Sequence, residues 1–325
     1  MPAQRYAPSS IFGLVLAVLL APNVAQAQPS PGSEGGGGSG VGNGRGSRGD
    51  RSPAVYVDGE PISVLSFGEL PIGLKPVWRT DQVSVEKEPG QAAPPSREVK
   101  VRAYRFTELL TALRVNLTKV RELHVYGPKP TDAIVVGGAE LRRRGRDFLF
   151  RFAGEVEGSP LPIVPPRFGN RRSPDRITAV LAYVDKKPPR LVPDKGFELD
   201  GRIITDIPYH GEPLSGGVRV YLNDRLAMVI KRRNLEGGPR FSLASQLESH
   251  GIDAGKVAEA WAIHRDRRVE RFTQEQLQAL FFKMPEGRQG ELLLGDRDLP
   301  ASAIALHEVA IDPEQLPKVR SEEEF

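Results

Sequence analysis

Apolar and polar positions follow nearly the same scheme in two stretches of the chain, "VYVDGEPISV" at 55–64 and "VYLNDRLAMV" at 220–229. Each reads as a β-rich run, a polar pair suited to a tight turn (Asp58-Gly59, Asn223-Asp224) and a second β-rich run, so each predicts a β-hairpin. Aligning 55–70 with 220–235 matches Val55/Val220, Tyr56/Tyr221, Val64/Val229 and Leu70/Leu235, an offset of 165 residues.

A second pair of stretches follows in the same order. "YRFTELLTALRVNLTKVRELHVYG" (104–127) aligns with "FSLASQLESHGIDAGKVAEAWAIH" (241–264) at an offset of 137, matching Leu110/Leu247, Lys119/Lys256, Val120/Val257 and Glu122/Glu259. Phe106, Leu109, Leu110 and Leu113 recur at helical spacing and predict one apolar face. In the later stretch Leu243 and Leu247 hold that face, Ser242 is placed to cap the helix start and Gly251 to end it. A strand follows each helix, "RELHVYG" and "AEAWAIH". The offset shrinks by 28 residues between the two alignments, so the earlier copy carries an insertion between residues 70 and 104. Loops added to a scaffold are where specificity tends to be built, which makes Trp78 a contact candidate. The simpler expectation is that Trp78 packs its loop back on its own domain.

Each stretch continues with one more strand and helix. "AIVV" leads into "GGAELRR" and then "FLFRF"; "RVERF" leads into "TQEQLQAL", where Thr273 and Gln276 have capping-box spacing and Leu277, Leu280 and Phe281 form the apolar side. Closing β-like segments run over 175–189 and 301–317, both ending in Pro. The expected fold class is α+β: two tandem duplicated modules of mixed β-sheet with short helices, behind a signal peptide and a Gly-rich linker. Module 1 takes 54–189 and module 2 takes 218–317, with a linker at 190–217 and a charged tail at 318–325.

The first 53 residues read differently. Arg5 precedes the apolar run "IFGLVLAVLL" (11–20), and Ala25 and Ala27 supply the small residues of a cleavage site, which predicts a signal peptide over 1–27. Ten apolar residues rise only about 15 Å as a helix, half the hydrocarbon thickness, so no stable membrane insertion is expected after cleavage. Residues 28–53 are Gly- and Ser-rich and predict a flexible tether; the Arg48-Gly49-Asp50 triplet within it reads as a chance match to an adhesion tripeptide. The expected location is periplasmic or extracellular. With no Cys in the chain, thiolate chemistry and disulfide staples are both excluded. The charge balance, 45 basic against 41 acidic residues, gives a mixed surface and not the concentrated field that nucleic acid selects.

The order hairpin, "L..LL...G(I/V)" helix, strand, strand and helix, Pro-bearing loop, closing "I..I.V" strand resembles the molybdopterin-binding fold of the sulfite oxidase family, in two shortened copies. Leu243, Leu247, Gly251, Ile252, Phe272, Leu277 and "ALHEVAI" carry the resemblance in the second copy. "FTELLTALRV", "PLPIVPP" and "ITAVLAYV" carry it in the first. That family holds molybdenum through a Cys thiolate, so the resemblance implies degenerate modules without a metal centre of that kind.

Local signatures of catalysis are missing. None of His124, His210, His250, His264 and His307 has a second His or a carboxylate at metal-ligand spacing, and neither a nucleophile elbow nor a phosphate loop occurs. "PYHGEP" (208–213) gathers Tyr209, His210 and Glu212, readable as an acid/base pair at a cleft or, more simply, as a Pro-bounded loop. Basic clusters are the other candidates: Arg142, Arg143 and Arg144; Arg171 and Arg172; Lys231, Arg232 and Arg233. Arg forks suit anionic groups. The expected function is a noncatalytic binding or scaffold protein of the cell envelope, with no cofactor and with an acidic envelope protein or anionic ligand as partner. The alternative is a molybdopterin-type cofactor-binding protein, or an oxidoreductase relative without metal-thiolate ligation.

Overall fold

The computed structural model describes residues 52–84, 96–129, 131–153, 159–170, 173–204, 214, 217–231, 235, 240–264, 268–284, 292–296 and 300–311. The expected signal peptide, all but the last two residues of the tether and the tail at 318–325 lie outside them. The described chain is mostly β, in mixed sheets, with α-helices of only six or seven residues.

Residues 54–183 comprise β1 (Ala54–Val57), β2 (Glu60–Val64), β3 (Val77–Ser84), β4 (Ser96–Arg105), α1 (Phe106–Ala112), β5 (Glu122–Tyr126), β6 (Ala133–Gly137), α2 (Gly138–Arg144), β7 (Leu149–Phe152), β8 (Pro160–Ile163) and β9 (Ala179–Tyr183). Their main sheet has the order β2-β1-β9-β5-β6, with β1 and β9 parallel and the other pairs antiparallel. After β10 (Arg190–Val192), β11 (Gly196–Leu199) and β12 (Arg202–Ile204), residues 217–307 supply β13 (Gly217–Leu222), β14 (Arg225–Lys231), β15 (Arg240–Ser242), α3 (Leu243–Ser249), β16 (Glu259–His264), β17 (Val269–Thr273), α4 (Gln274–Ala279), β18 (Phe281–Lys283), β19 (Leu293–Leu294) and β20 (Ala301–His307). Here the main sheet is β14-β13-β20-β16-β17, again with one parallel pair, β13 and β20.

The likeness of the two sheets extends to individual bonds. Register shifts fall between Val55 and Tyr56 and between Val220 and Tyr221. Both hairpin turns use left-handed residues, Asp58 and Gly59 (φ 51° and 90°) and Asn223 and Asp224 (φ 49° and 70°). Asp58 N donates to Ala182 O at 2.9 Å and Asn223 N to Leu306 O at 2.8 Å; Arg121 N donates to Tyr183 O at 2.8 Å and Ala258 N to His307 O at 2.9 Å. The helix starts follow the sequence expectation in the second half, where Ser242 Oγ accepts from Ser245 N and Thr273 and Gln276 form a reciprocal capping box.

Alternating residues on each strand serve two cores. Val55, Leu123, Val125 and Val180 join Phe106, Leu109, Leu110 and Leu113 beneath the first sheet. Val220, Ile304, Leu306 and Ala260 join Leu243 and Leu247 beneath the second. Tyr56, Val64, Leu181 and Phe197 meet Tyr221 and Ala303 in a third cluster that joins the halves.

Two expectations need correction. Residues 190–204, expected as linker, fold into the antiparallel sheet β10-β11-β12. Its Asp200-Gly201 turn repeats the left-handed pattern of Asp58-Gly59, and Phe197 is fully buried, so this segment packs as part of the fold. Trp78, expected to pack inward, is 54% exposed. It stands on the β3–β4 hairpin, where β3 and all but the last residues of β4 have no counterpart among the described residues of the second half. This hairpin falls where the alignments place an insertion.

Candidate functional site

The Arg side chains on α2 do not converge. Successive helical residues point about 100° apart, so a run of three cannot face one ligand. Arg142 Nη1 donates to Leu117 O at 3.1 Å and Thr118 O at 3.3 Å, holding the loop after α1. Arg144 donates to Arg167 O at 3.0 Å and Pro166 O at 2.9 Å and lies 5.7 Å from the Phe168 ring centroid. Arg143 is exposed on α2. Lys231 is buried at the end of β14, beside a shallow groove of about 240 Å³ walled by Pro61, Leu214, Leu226, Met228 and Val229. Arg171, Arg172, Tyr209, His210, Arg232 and Arg233 lie outside the described residues.

The structure does gather polar groups that sequence spacing did not single out. On β5, Glu122, His124 and Tyr126 alternate and therefore share one face. His124 is fully buried, with Nε2 at 2.8 Å from Glu122 Oε2 and Nδ1 at 3.0 Å from the Tyr126 hydroxyl. A carboxylate only accepts, so Nε2 carries the proton and Nδ1 accepts from Tyr126. Burial pushes the imidazole below its ordinary value against the pull of Glu122, which keeps it neutral. Burial raises both neighbouring phenols, Tyr183 to about 12. Phe197 stacks on the imidazole at 5.5 Å and 26°. The period-two pattern of "ELHVY" was the available signal.

The equivalent cell of the second sheet is built from other residues. By strand register Glu259 stands where Glu122 does, Trp261 where His124 does, His307 where Tyr183 does and Arg271 where Val135 does. Arg271 Nε pairs with Glu259 and its guanidinium lies 5.4 Å from the Trp261 ring centroid. Glu259 also accepts from Ile311 N at 3.1 Å. Trp261 Nε1 and His307 Nε2 are buried without a hydrogen-bond partner among the described residues. Burial lowers the His307 pKa, and raises that of Asp224, whose Oδ1 accepts from Ile72 N of the first half at 3.1 Å.

A buried ion pair also joins the halves. Glu69 accepts from Arg219 Nε at 2.5 Å, from Arg219 Nη2 and from the Tyr221 hydroxyl at 2.7 Å, and both charged side chains are 3% exposed. A lone Arg inside the apolar run "VRVYL" is the mark such a pair leaves in sequence.

His124 and His307 are sealed under neighbouring side chains, and among the described residues no group of three or more His, Asp or Glu could hold a metal ion. With no Cys, the chain also lacks the thiolate through which the sulfite oxidase family binds molybdenum, so its residues do not fit that centre. Comparison with family models, with curated proteins and with solved structures finds no match for the chain.

Proposed function

We propose that the chain is an exported, noncatalytic binding protein of the cell envelope, built from one module used twice. The duplication is supported by the common strand order, the common bulge and the matching turn and strand-end hydrogen bonds of the two sheets. Export is supported by the "IFGLVLAVLL" run with Ala25 and Ala27 behind it. The proposed kinship of the module with the molybdopterin-binding fold rests on the element order hairpin, helix, strand, strand, helix, closing strand.

One observation carries the binding role. His124 and Glu259, buried in the two sheets, are each turned onto partners within the fold, whereas the hairpin that distinguishes the first half from the second exposes its largest apolar side chain, Trp78. A scaffold that seals its own polar cells and extends one inserted arm is arranged for contact. Native mass spectrometry on protein purified mildly from its host's envelope fraction tests the reading. A stoichiometric protein complex is expected, with the chain beginning at Gln28. A pterin adduct, or turnover of an oxidisable substrate, overturns it.

A further inference from the structure

The arm has a defined chemistry. Cross-strand register pairs Trp78 with Arg102 and Thr80 with Lys100, which places these four on one face. The Arg102 guanidinium lies 5.2 Å from the Trp78 ring centroid. Lys75, Arg79, Thr80, Glu98 and Lys100 are exposed, and over 75–102 the sequence carries six Lys or Arg against four Asp or Glu, a modest positive balance. In the sheet order β3-β4-β7-β8 the strand β3 is outermost, so its outer backbone N–H and C=O groups have no strand beside them among the described residues.

We infer that the β3 edge of this arm is a docking site for an extended, acidic segment of a partner protein, added as a further strand. Main-chain hydrogen bonds along β3 give such a segment its grip, as in other strand-addition complexes. Charge complementarity sets its chemistry: carboxylates on one face of the incoming strand meet Lys100 and Arg102, their methylene stems cover the open part of Trp78, and apolar side chains fall on the other face, beside Val77 and the stem of Arg79. The cation already stacked on Trp78 holds the ring in place and reduces the ordering cost of binding. A nucleic-acid strand fits less well, because one exposed ring offers a single stacking platform where such sites use several.

The inference rests on the binding-protein reading above, and its test separates the two. The probe is a fluorescein-labelled nine-residue peptide alternating Glu and Val, titrated into the full chain and followed by anisotropy, with a Lys/Val peptide and a dT oligonucleotide as comparisons. Saturable binding of the Glu/Val peptide is expected, weakened at least tenfold by Trp78→Ala, by Lys100→Glu with Arg102→Glu, and by N-methylation of alternate peptide amides. Thr80→Glu, at an exposed position on the same face, guards against loss of folding and is expected to weaken binding severalfold. Equal binding of the Lys/Val peptide or the oligonucleotide overturns the inference, as does indifference to Trp78→Ala or concentration-dependent self-association that Trp78→Ala abolishes. An envelope complex that survives Trp78→Ala overturns the inference and leaves the binding-protein reading standing.

Discussion

The cells around His124 and around Trp261 occupy the same place in two sheets of the same order, yet they are closed by different means. In the first, neutral partners pass hydrogen bonds from Tyr126 through His124 to Glu122, and Phe197 from β11 covers the imidazole. In the second, the cover is the side chain of the adjoining strand: Arg271, half exposed, reaches across Trp261 to Glu259. The carboxylate at the head of the strand is common to both, as are the backbone bonds around it. What the two halves share is therefore a hydrogen-bonded framework, and they differ in the side chains placed on it.

The largest test concerns the pair that joins these two halves. Removing one member of a buried, hydrogen-bonded ion pair leaves an uncompensated charge, so Glu69→Ala or Arg219→Ala is expected to cost about 3–5 kcal/mol in denaturant titration. Replacing Glu69, Arg219 and Tyr221 together by Leu, Met and Phe is expected to recover most of that loss. If Glu69→Ala unfolds in two separated transitions, the halves are independent domains and not one cooperative unit.

The difference in cover can be broken directly. Phe197→Ala deletes a fully buried ring and is expected to cost about 3–5 kcal/mol. Arg271→Ala removes a half-exposed partner and leaves the buried Glu259 the Ile311 amide and the water that the vacated side chain admits, so its cost is expected at about 1–3 kcal/mol, below that of Phe197→Ala. Equal costs measured by urea titration would mean that the second cell is sealed as firmly as the first.

Much of this frame was legible in advance. The hairpins, the helix faces at Phe106 to Leu113 and at Leu243 and Leu247 and the Thr273 capping box all follow from local periodicity and turn chemistry, which act over a few residues. The covering sheet at 190–204 was missed because its strands are only three or four residues long, too short for a period-two pattern to show, although its Asp200-Gly201 turn repeats a signal read elsewhere. The Glu69–Arg219 pair spans 150 residues, and no local pattern reports a partner at that distance. The Arg run at 142–144 misled for the opposite reason: consecutive in sequence, its members diverge on a helix and serve separate loops.

Acid sensitivity sharpens the comparison further. His124 and His307 both titrate below their ordinary 6.5 because they are buried. Below about pH 6.5 the unfolded chain binds a proton at each position that the folded chain refuses, so stability falls as pH falls, by up to about 1.4 kcal/mol per pH unit for each. Asp224, raised by burial, has the opposite sign: its contribution is present below 3.8 and lost as pH rises through its raised folded-state value. His124→Gln keeps a donor for Glu122 and an acceptor for Tyr126, and is expected to remove the first half's share of the slope. Urea midpoints between pH 7.5 and 5 that fall equally in the parent, His124→Gln and His307→Gln would refute the assignment.

The smallest effects compare the second helices of the two halves, and they turn on two adjacent glycines. Thr273 caps α4 with its side chain, while Gly137, at the same register position before α2, has none to offer. Thr273→Ala is expected to cost about 1 kcal/mol, and Gly137→Ser, which has open space around its new Cβ, to gain a few tenths. The next residue behaves differently. A Cβ on Gly138 would sit 1.8 Å from Val120 O, because Gly138 N donates to Arg121 O and draws α2 against that backbone. Gly138→Ala is therefore expected to cost about 1–3 kcal/mol or more through displacement of main chain, reversing the gain one residue earlier. Thermal melts of the three variants decide whether the framework shared by the halves tolerates added side chains wherever space allows, or whether α2 is held by its backbone contact alone.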